Sequence, residues 1–337
     1  MALPAVKILH DRGMQIDWVC GRTVLPLLKY YSWLRVIPAD DAAVLKGTLL
    51  QKISAMTGLW RTLAGSRYDL CATLYYDERY RLLSLPVRAA NRLSLSPIER
   101  NNMIVPGRHH TDEYARLLIQ AIDGPIDGYS PHSLPPLRPS VIANCPVQRG
   151  GSLPRVAIVP GGARNLMRDD ALRRWPLDNY VRLAELLLSR GYEVLLVGSS
   201  DDHWVDSKFA ALPVNNLIGK LSLPELVALF DQTDCVVTHD TGPLHLAGIS
   251  NAGVVGIFGP TDPREKLPRR EHSIAVWGGE GFACRPCYDG RNFAPCQHNG
   301  CMYQVTPQLV LLELDSLLER RSQGLPSPPR IVVPGIA

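Results

Sequence analysis

No run of apolar residues in this sequence approaches the roughly 18 that a membrane-spanning helix needs, so no helical span is expected. The N-terminus has neither a charged start with an apolar core nor a small-residue cleavage site, so no secretory signal is expected either. Lys and Arg are scattered and form no runs, and the formal net charge is only +4. That argues against a dedicated nucleic-acid binder, and it suits an anionic substrate or a peripheral meeting with an acidic membrane. A cytoplasmic protein, at most peripheral on the inner membrane, is the expectation.

What is present is a chain of 337 residues, 46% hydrophobic, long enough for two cores of ordinary size. Residues 124–154 are rich in Pro, Gly and Ser, show no helical or strand period, and read as an interdomain linker. Downstream, short apolar runs at 156–159, 193–197, 235–238, 254–258 and 273–276 alternate with amphipathic segments at 179–190, 222–230 and 306–321. This grammar predicts an α/β domain over 155–323 with a doubly wound parallel sheet. The first domain, 1–123, shows strands at 16–19, 35–37, 69–74 and 91–93 and helices at 43–63, 79–87 and 111–122. It opens on a helix, 3–10, with no strand before it, where a βαβ layer wants one. The Pro-rich tail, 324–337, reads as an extended or disordered arm.

Three segments at strand ends carry chemistry. Strand 235–238 runs into Asp240-Thr241-Gly242-Pro243, with His245 one turn on. A helix start there offers backbone N–H groups and a dipole to an anion, Gly242 permits close approach, and Asp240 and His245 can bond hydroxyls or phosphate. The same tripeptide also makes an ordinary strand-to-helix turn with Asp or Thr as N-cap. After strand 156–159 comes Pro160-Gly161-Gly162-Ala163-Arg164, followed by Arg173-Arg174-Trp175-Pro176. The glycines suit backbone approach to phosphate and the arginines a departing diphosphate; a plain turn before a solvated basic face is the alternative. Asp201 and Asp202 follow strand 193–197, where an acidic side chain takes ribose hydroxyls or caps a helix. Leu221 would wall an adenine or simply fill core.

Cys284, Cys287, Cys296 and Cys301 lie within eighteen residues, enough thiolates for a tetrahedral zinc or iron site, with His298 as a spare ligand. The spacing is not a standard zinc-finger pattern, and unliganded thiols remain open; disulfides are disfavoured in a reducing compartment. Cys20, Cys71 and Cys235 lie in apolar, strand-like contexts, and Cys145 lies in the linker.

Pro160-Gly-Gly-Ala163, Arg173-Arg-Trp-Pro176, Gly219-Lys-Leu-Ser-Leu-Pro-Glu-Leu226 and His239-Asp-Thr-Gly-Pro-Leu-His-Leu-Ala247 together resemble glycosyltransferase family 9, the ADP-heptose:lipopolysaccharide heptosyltransferases. The resemblance covers the second domain almost end to end and is weaker over the first. It implies a GT-B architecture, two Rossmann-like domains facing a cleft with acceptor on the first and nucleotide-sugar on the second, and no catalytic metal. It implies that Thr241 and Gly242 hold the diphosphate, that Asp240 bonds sugar hydroxyls, and that His245 lines the same pocket. Gly161, Gly162 and Ala163 would give main-chain contacts, Leu221 would touch adenine, and Asp202 approximately matches a ribose contact. Arg173 stands where the family usually has a lysine, so Asp240 and Arg173 are the catalytic expectations in this domain.

Family members open with a strand and a loop whose Asp is the proposed base, then a helix with Leu-Pro-Ala. Here Met1-Ala2-Leu3-Pro4-Ala5 matches that helix, so the strand and the base are expected upstream of Met1. Asp77, Glu78 and Asp112 are the acidic candidates in the first domain, and Arg79 and Arg81 are acceptor-binding candidates or plain solvated arginines. The implied activity is inverting transfer of heptose from ADP-heptose to a lipopolysaccharide-core acceptor. A protein acceptor, as in autotransporter glycosylation, another nucleotide-sugar, and an inactive donor-binding paralogue are the alternatives. Autotransporter heptosyltransferases carry a four-cysteine iron site in the comparable region, which implies a structural metal here.

Overall fold

The computed structural model describes residues 1–76, 78–96, 102–124, 133–164, 168–288 and 292–335. The chain divides into two units, Met1–Leu137 and Arg138–Ala337.

Unit 1 runs α1 (Ala2–Asp11), β1 (Ile16–Gly21), α2 (Leu25–Leu28), β2 (Leu34–Ala39) and α3 (Asp41–Lys46). It continues with α4 (Leu49–Leu63), β3 (Arg67–Thr73), α5 (Glu78–Leu83), β4 (Arg88–Ser94) and α6 (His110–Asp123). The helix expected over 43–63 is two helices. Gly47 is extended and Thr48 starts α4 with a capping box, its backbone N–H donating to Gln51 Oε1 at 2.8 Å. The expected helix 79–87 closes at Leu83.

The strands of unit 1 are parallel but form two separate pairs, β1 with β2 and β3 with β4. Both pairs lean on α1 and α6: Ile16 and Trp18 of β1, Leu70 of β3 and Leu93 of β4 meet Ala5, Leu9, Leu117 and Leu118. The Tyr68 hydroxyl of β3 donates to Asp17 of β1 at 2.6 Å, so side chains span a division that no backbone ladder crosses among the described residues.

Unit 2 begins with residues that read as linker. Arg138 pairs with Asp231, Arg149 with Asp234, and Cys145 is buried, so 138–154 belong to this unit's wall. Then come β5 (Arg155–Val159), α7 (Leu177–Ser189), β6 (Glu193–Leu196), α8 (Asp206–Phe209), β7 (Asn215–Asn216) and α9 (Leu223–Asp231). They are followed by β8 (Cys235–His239), α10 (Gly242–Gly248), β9 (Gly253–Phe258), α11 (Pro263–Lys266) and β10 (Ser273–Trp277). The unit closes with α12 (Gly300–Tyr303), α13 (Pro307–Ser322) and β11 (Arg330–Val332).

All seven strands are parallel, in the order β11-β10-β9-β8-β5-β6-β7. Strands β5, β8, β9 and β10 are buried throughout, which is why they read as continuous apolar runs. Side chains alternate between two cores. Val156, Ile158 and Val237 pack under Tyr180, Leu183 and Leu187 of α7 and Leu314 and Leu317 of α13; Ala157, Val159 and Val236 pack under Leu226 and Phe230 of α9 and Leu244 of α10. Each fully buried Leu or Phe contributes about 1.5–3 kcal/mol of transfer free energy.

The tail differs from expectation. It is no free arm: Arg330, Ile331 and Val332 pair with Ile274, Ala275 and Val276 and add the outermost strand, while the Ser327 carbonyl accepts from His272 N at 2.7 Å.

Candidate functional site

The strand order reverses at β5 and β8: β6 and β7 lie to one side, β9 to β11 to the other. A parallel sheet opens a crevice at the carboxyl ends of such neighbours. Register aligns Ile158 with Val237 and Val159 with Thr238, so the loop starting at Pro160 and the loop starting at Asp240 emerge side by side.

Side chains bolt these loops together. Gly162 N donates to Asp202 Oδ1 at 2.8 Å, while Ser199 N and the Ser199 hydroxyl both donate to Asp202 Oδ2 at 2.8 Å. Ala163 N donates to Thr241 Oγ1 at 2.9 Å. The Gly-Gly pair is required by this closeness. A Cβ on Gly161 would lie 2.3 Å from Asp202 Cγ, and one on Gly162, whose φ is +81°, would lie 2.7 Å from Thr241 Oγ1. The Gly162 and Ala163 N–H groups thus hold neighbouring loops, and Asp202 joins the loop after β5 to that after β6. Thr241 spends its hydroxyl on Ala163 and does not cap α10 with its side chain. A Cβ on Gly242 would meet nothing within 4 Å, so the first turn of α10 is sterically open.

Asp240 is 3% exposed, and its Oδ2 has no hydrogen-bond partner among the described residues. Arg173, in the 3₁₀ turn Ala171–Arg173, places Nη1 at 3.6 Å from Asp240 Oδ2 and Nη2 at 3.0 Å from Asp170. Burial by itself would raise the Asp240 carboxyl, but the charges of Lys266, Arg173 and His245 and the Thr261 hydroxyl outweigh it and hold it below its ordinary value. Asp240 is therefore an ionised, buried acceptor. Arg174 braces the same loop, its Nε donating to the Gly162 carbonyl at 2.9 Å and its Nη2 pairing with Asp169. His245 is half-buried, and Leu221 is half-buried against the α9 and α10 core.

Three further groups join this edge without having been singled out in the sequence. Lys266, only 7% exposed, sits with Nζ 3.5 Å from Glu265 and 5.0 Å from the Tyr288 ring centre. Thr261 is 1% exposed. Thr261 follows β9 in Gly259-Pro260-Thr261-Asp262-Pro263, a turn-rich run at the same carboxyl edge that was its available signal, and Lys266 closes the short helix after that run. The third is His239: its Nδ1 lies 3.0 Å from the Tyr180 hydroxyl, and burial, then Arg173, pushes its imidazole down to about 3. It is neutral at physiological pH.

In unit 1, Arg79 and Arg81 lie on α5, half-buried and exposed respectively. Asp112 is buried in the first turn of α6, with Oδ1 accepting from Leu134 N at 3.3 Å, so it is tied into the fold. Asp77 and the side chain of Glu78 lie outside the described residues.

Cys284 and Cys296 are exposed, and Cys287 and Cys301 are half-buried. Burial pushes the Cys287 thiol up and that of Cys301 up to about 11, and neighbouring thiols of the same four add to both shifts. Among the described residues no three His, Cys, Asp or Glu side chains are arranged to hold a metal ion. As placed, the four thiols do not fit a metal centre.

Comparison with known proteins bears on this geometry. Residues 88–298 match the family model "Glycosyltransferase family 9 (heptosyltransferase)". Lipooligosaccharide heptosyltransferase 2 of Haemophilus influenzae is 31% identical over 155 residues, 44% of this chain and 44% of that protein, so the match spans under half the length of this curated relative. The E. coli ADP-heptose lipopolysaccharide heptosyltransferase II structure aligns over 95% of both chains with a TM-score of 0.66 at 20% identity. The iron-containing dodecameric glycosyltransferase TibC of enterotoxigenic E. coli aligns over 95% of this chain and 72% of that one, with a TM-score of 0.58 at 16% identity. At these identities the structures speak to the fold, which is that of the GT-B heptosyltransferases. With a family model that covers most of the chain and runs through the β5 loop and the Asp240 turn, this protein belongs to glycosyltransferase family 9, the heptosyltransferase family.

Proposed function

We propose that this chain acts in inverting transfer of heptose from ADP-heptose to a hydroxyl of a lipopolysaccharide-core acceptor. The observation that carries the reading is the buried, ionised Asp240 at the switch point of the sheet, whose Oδ2 lies 3.6 Å from Arg173 Nη1 and accepts no hydrogen bond among the described residues. A buried carboxylate oxygen that accepts no hydrogen bond costs free energy unless a donor reaches it, and sugar hydroxyls are such donors.

In this reading Asp240 orients the heptose. Arg173 and the open N–H side of Gly242 receive the diphosphate, with Lys266 adding positive charge to the same edge. The acceptor oxygen forms a bond to the anomeric carbon from the face opposite ADP. The bond to the β-phosphate oxygen breaks with its electron pair remaining on ADP, and the arginine stabilises that growing charge. The acceptor proton goes to a carboxylate base. The split of unit 1 into two separate strand pairs favours a second reading, donor binding without efficient transfer.

Calorimetry with ADP-heptose, UDP- and GDP-sugars tests the donor. Preference for a non-adenine nucleotide overturns the heptosyl assignment, and transfer assays with lipopolysaccharide-core and protein acceptors separate the remaining readings. For the cysteine segment the proposal is a structural zinc or iron, which requires the four side chains to turn toward a common point. Elemental analysis of tag-free protein showing less than about a tenth of an equivalent rejects it.

A further inference from the structure

The carboxyl edge of β1 and β2 in unit 1 bears a surface that donor chemistry leaves unused. Helix α4 starts there, and its first turns present Leu49, Leu50 and Ile53, which are 73%, 79% and 50% exposed. On an α-helix these three project within an arc of about 100°. Half-buried Met56 and Trp60 continue that side, while Leu59 and Leu63 face the core. The opposite flank of the helix, with Gln51, Ser54 and Gly58, lines a pocket of about 420 Å³ together with Arg22 and Asp40.

Along the sequence, charge from residue 42 to residue 68 has one sign. Residues 42–68 contain no carboxylate, yet they carry Lys46, Lys52, Arg61 and Arg67. Asp40, at the pocket, is paired with Arg22 at 3.0 Å and caps α3. Residues 1–137 hold 16 Lys and Arg against 12 Asp and Glu, whereas residues 138–337 hold 20 of each, so the whole net positive charge resides on unit 1.

Exposed leucine and isoleucine at a helix start, flanked in sequence by Lys46 and Lys52, match the boundary of an anionic bilayer, where apolar side chains enter the acyl region and cations meet headgroups. Self-docking fits less well, because a symmetric pair would set Lys46 and Lys52 against their own counterparts. We propose that the N-terminal half of α4, with Leu49, Leu50 and Ile53 beside Lys46 and Lys52, seats unit 1 on an anionic lipid surface. This holds the pocket at the edge of β1 and β2 beside the bilayer. It goes beyond the donor reading and does not depend on it.

Co-sedimentation of the full chain with sucrose-loaded vesicles tests it, using phosphatidylcholine alone and with about 30% phosphatidylglycerol. The expected result is binding to the anionic vesicles that weakens with salt. Lys46→Gln/Lys52→Gln should weaken it roughly 30-fold, and Leu50→Ser/Ile53→Ser should weaken it at every salt concentration. All four positions lie outside the core, so thermal melting of both variants should match the parent. Equal sedimentation with neutral and anionic vesicles, or parental binding by both variants, overturns the proposal. So does a dimer in light scattering that Leu50→Ser/Ile53→Ser converts to monomer, which would give the face to a second copy. ADP calorimetry on the same variants should match the parent; absence of ADP binding in parent and variants alike would count against the donor site alone.

Discussion

Replacing Asp202 separates two roles that the same residue type can play. Family resemblance makes it a ribose contact, whereas the structure has both of its oxygens already engaged, one by Gly162 N and the other by Ser199 N and the Ser199 hydroxyl, each at 2.8 Å. A hydrogen bond to a charged group is worth about 1.5–3 kcal/mol, and bonds sharing one carboxylate do not add fully. With the side chain 6% exposed, Asp202→Ala should therefore cost about 3–5 kcal/mol, a large share of a typical 5–15 kcal/mol total. Asp202→Asn keeps one oxygen but turns a donor toward one of its partners, so roughly half the loss is expected. Urea unfolding reads the total. Amide hydrogen exchange of the peptides containing Gly162 and Ser199 shows whether those two N–H groups lose protection first. If Asp202→Ala leaves the urea midpoint and both amides unchanged while ADP affinity falls about tenfold, the clamp is refuted and the ribose role stands.

Three other perturbations follow from the same edge. His239 has a folded value of about 3 against an ordinary 6.5, so its stabilisation is full above pH 6.5 and is lost as pH falls toward 3; roughly 2 kcal/mol should be gone by pH 5, measured as a urea midpoint that His239→Gln makes less pH-dependent. Arg173→Ala should weaken ADP-heptose binding about 10- to 100-fold by calorimetry, with Arg173→Lys recovering much of it, and equal losses for both would deny the arginine a charge role. Gly162→Ala should destabilise by about 1–3 kcal/mol, because φ is +81° and Thr241 Oγ1 stands in the way; an unchanged thermal midpoint would contradict the packing described for the β5 loop.

The seven-stranded unit was legible because parallel strands buried on both faces leave unbroken apolar runs, as at Val254–Phe258, and because Gly and Asp punctuate their ends. The tail strand was not, since three residues between prolines carry no period and only pairing with β10 defines them. Likewise, the break between α3 and α4 rests on two extended residues, Gly47 and the N-cap Thr48, inside a continuous helical pattern. In the site, Asp240, Thr241, Gly161 and Gly162 announced themselves by strand-to-turn grammar. What that grammar missed was mutual: that Asp202 and Thr241 spend their side chains on the glycine loop, and that Tyr180 meets His239, are facts of three-dimensional closeness between residues dozens of positions apart. Lys266 stayed hidden because a lysine in a charged tripeptide, Arg264-Glu265-Lys266 after Pro263, looks like solvent-facing surface until burial is known.

The outermost strand, β11, also bears on solubility. A parallel sheet of seven strands exposes backbone donors and acceptors along its last member, and such a rim is a template on which a foreign chain can grow. Here the rim is three residues long and flanked by Pro326, Pro328 and Pro329 before it and Pro334 after it, none of which can donate to a further ladder. The proline-rich segment thus covers β10 and ends sheet growth at its own outer side, acting as a hem against edge-to-edge aggregation.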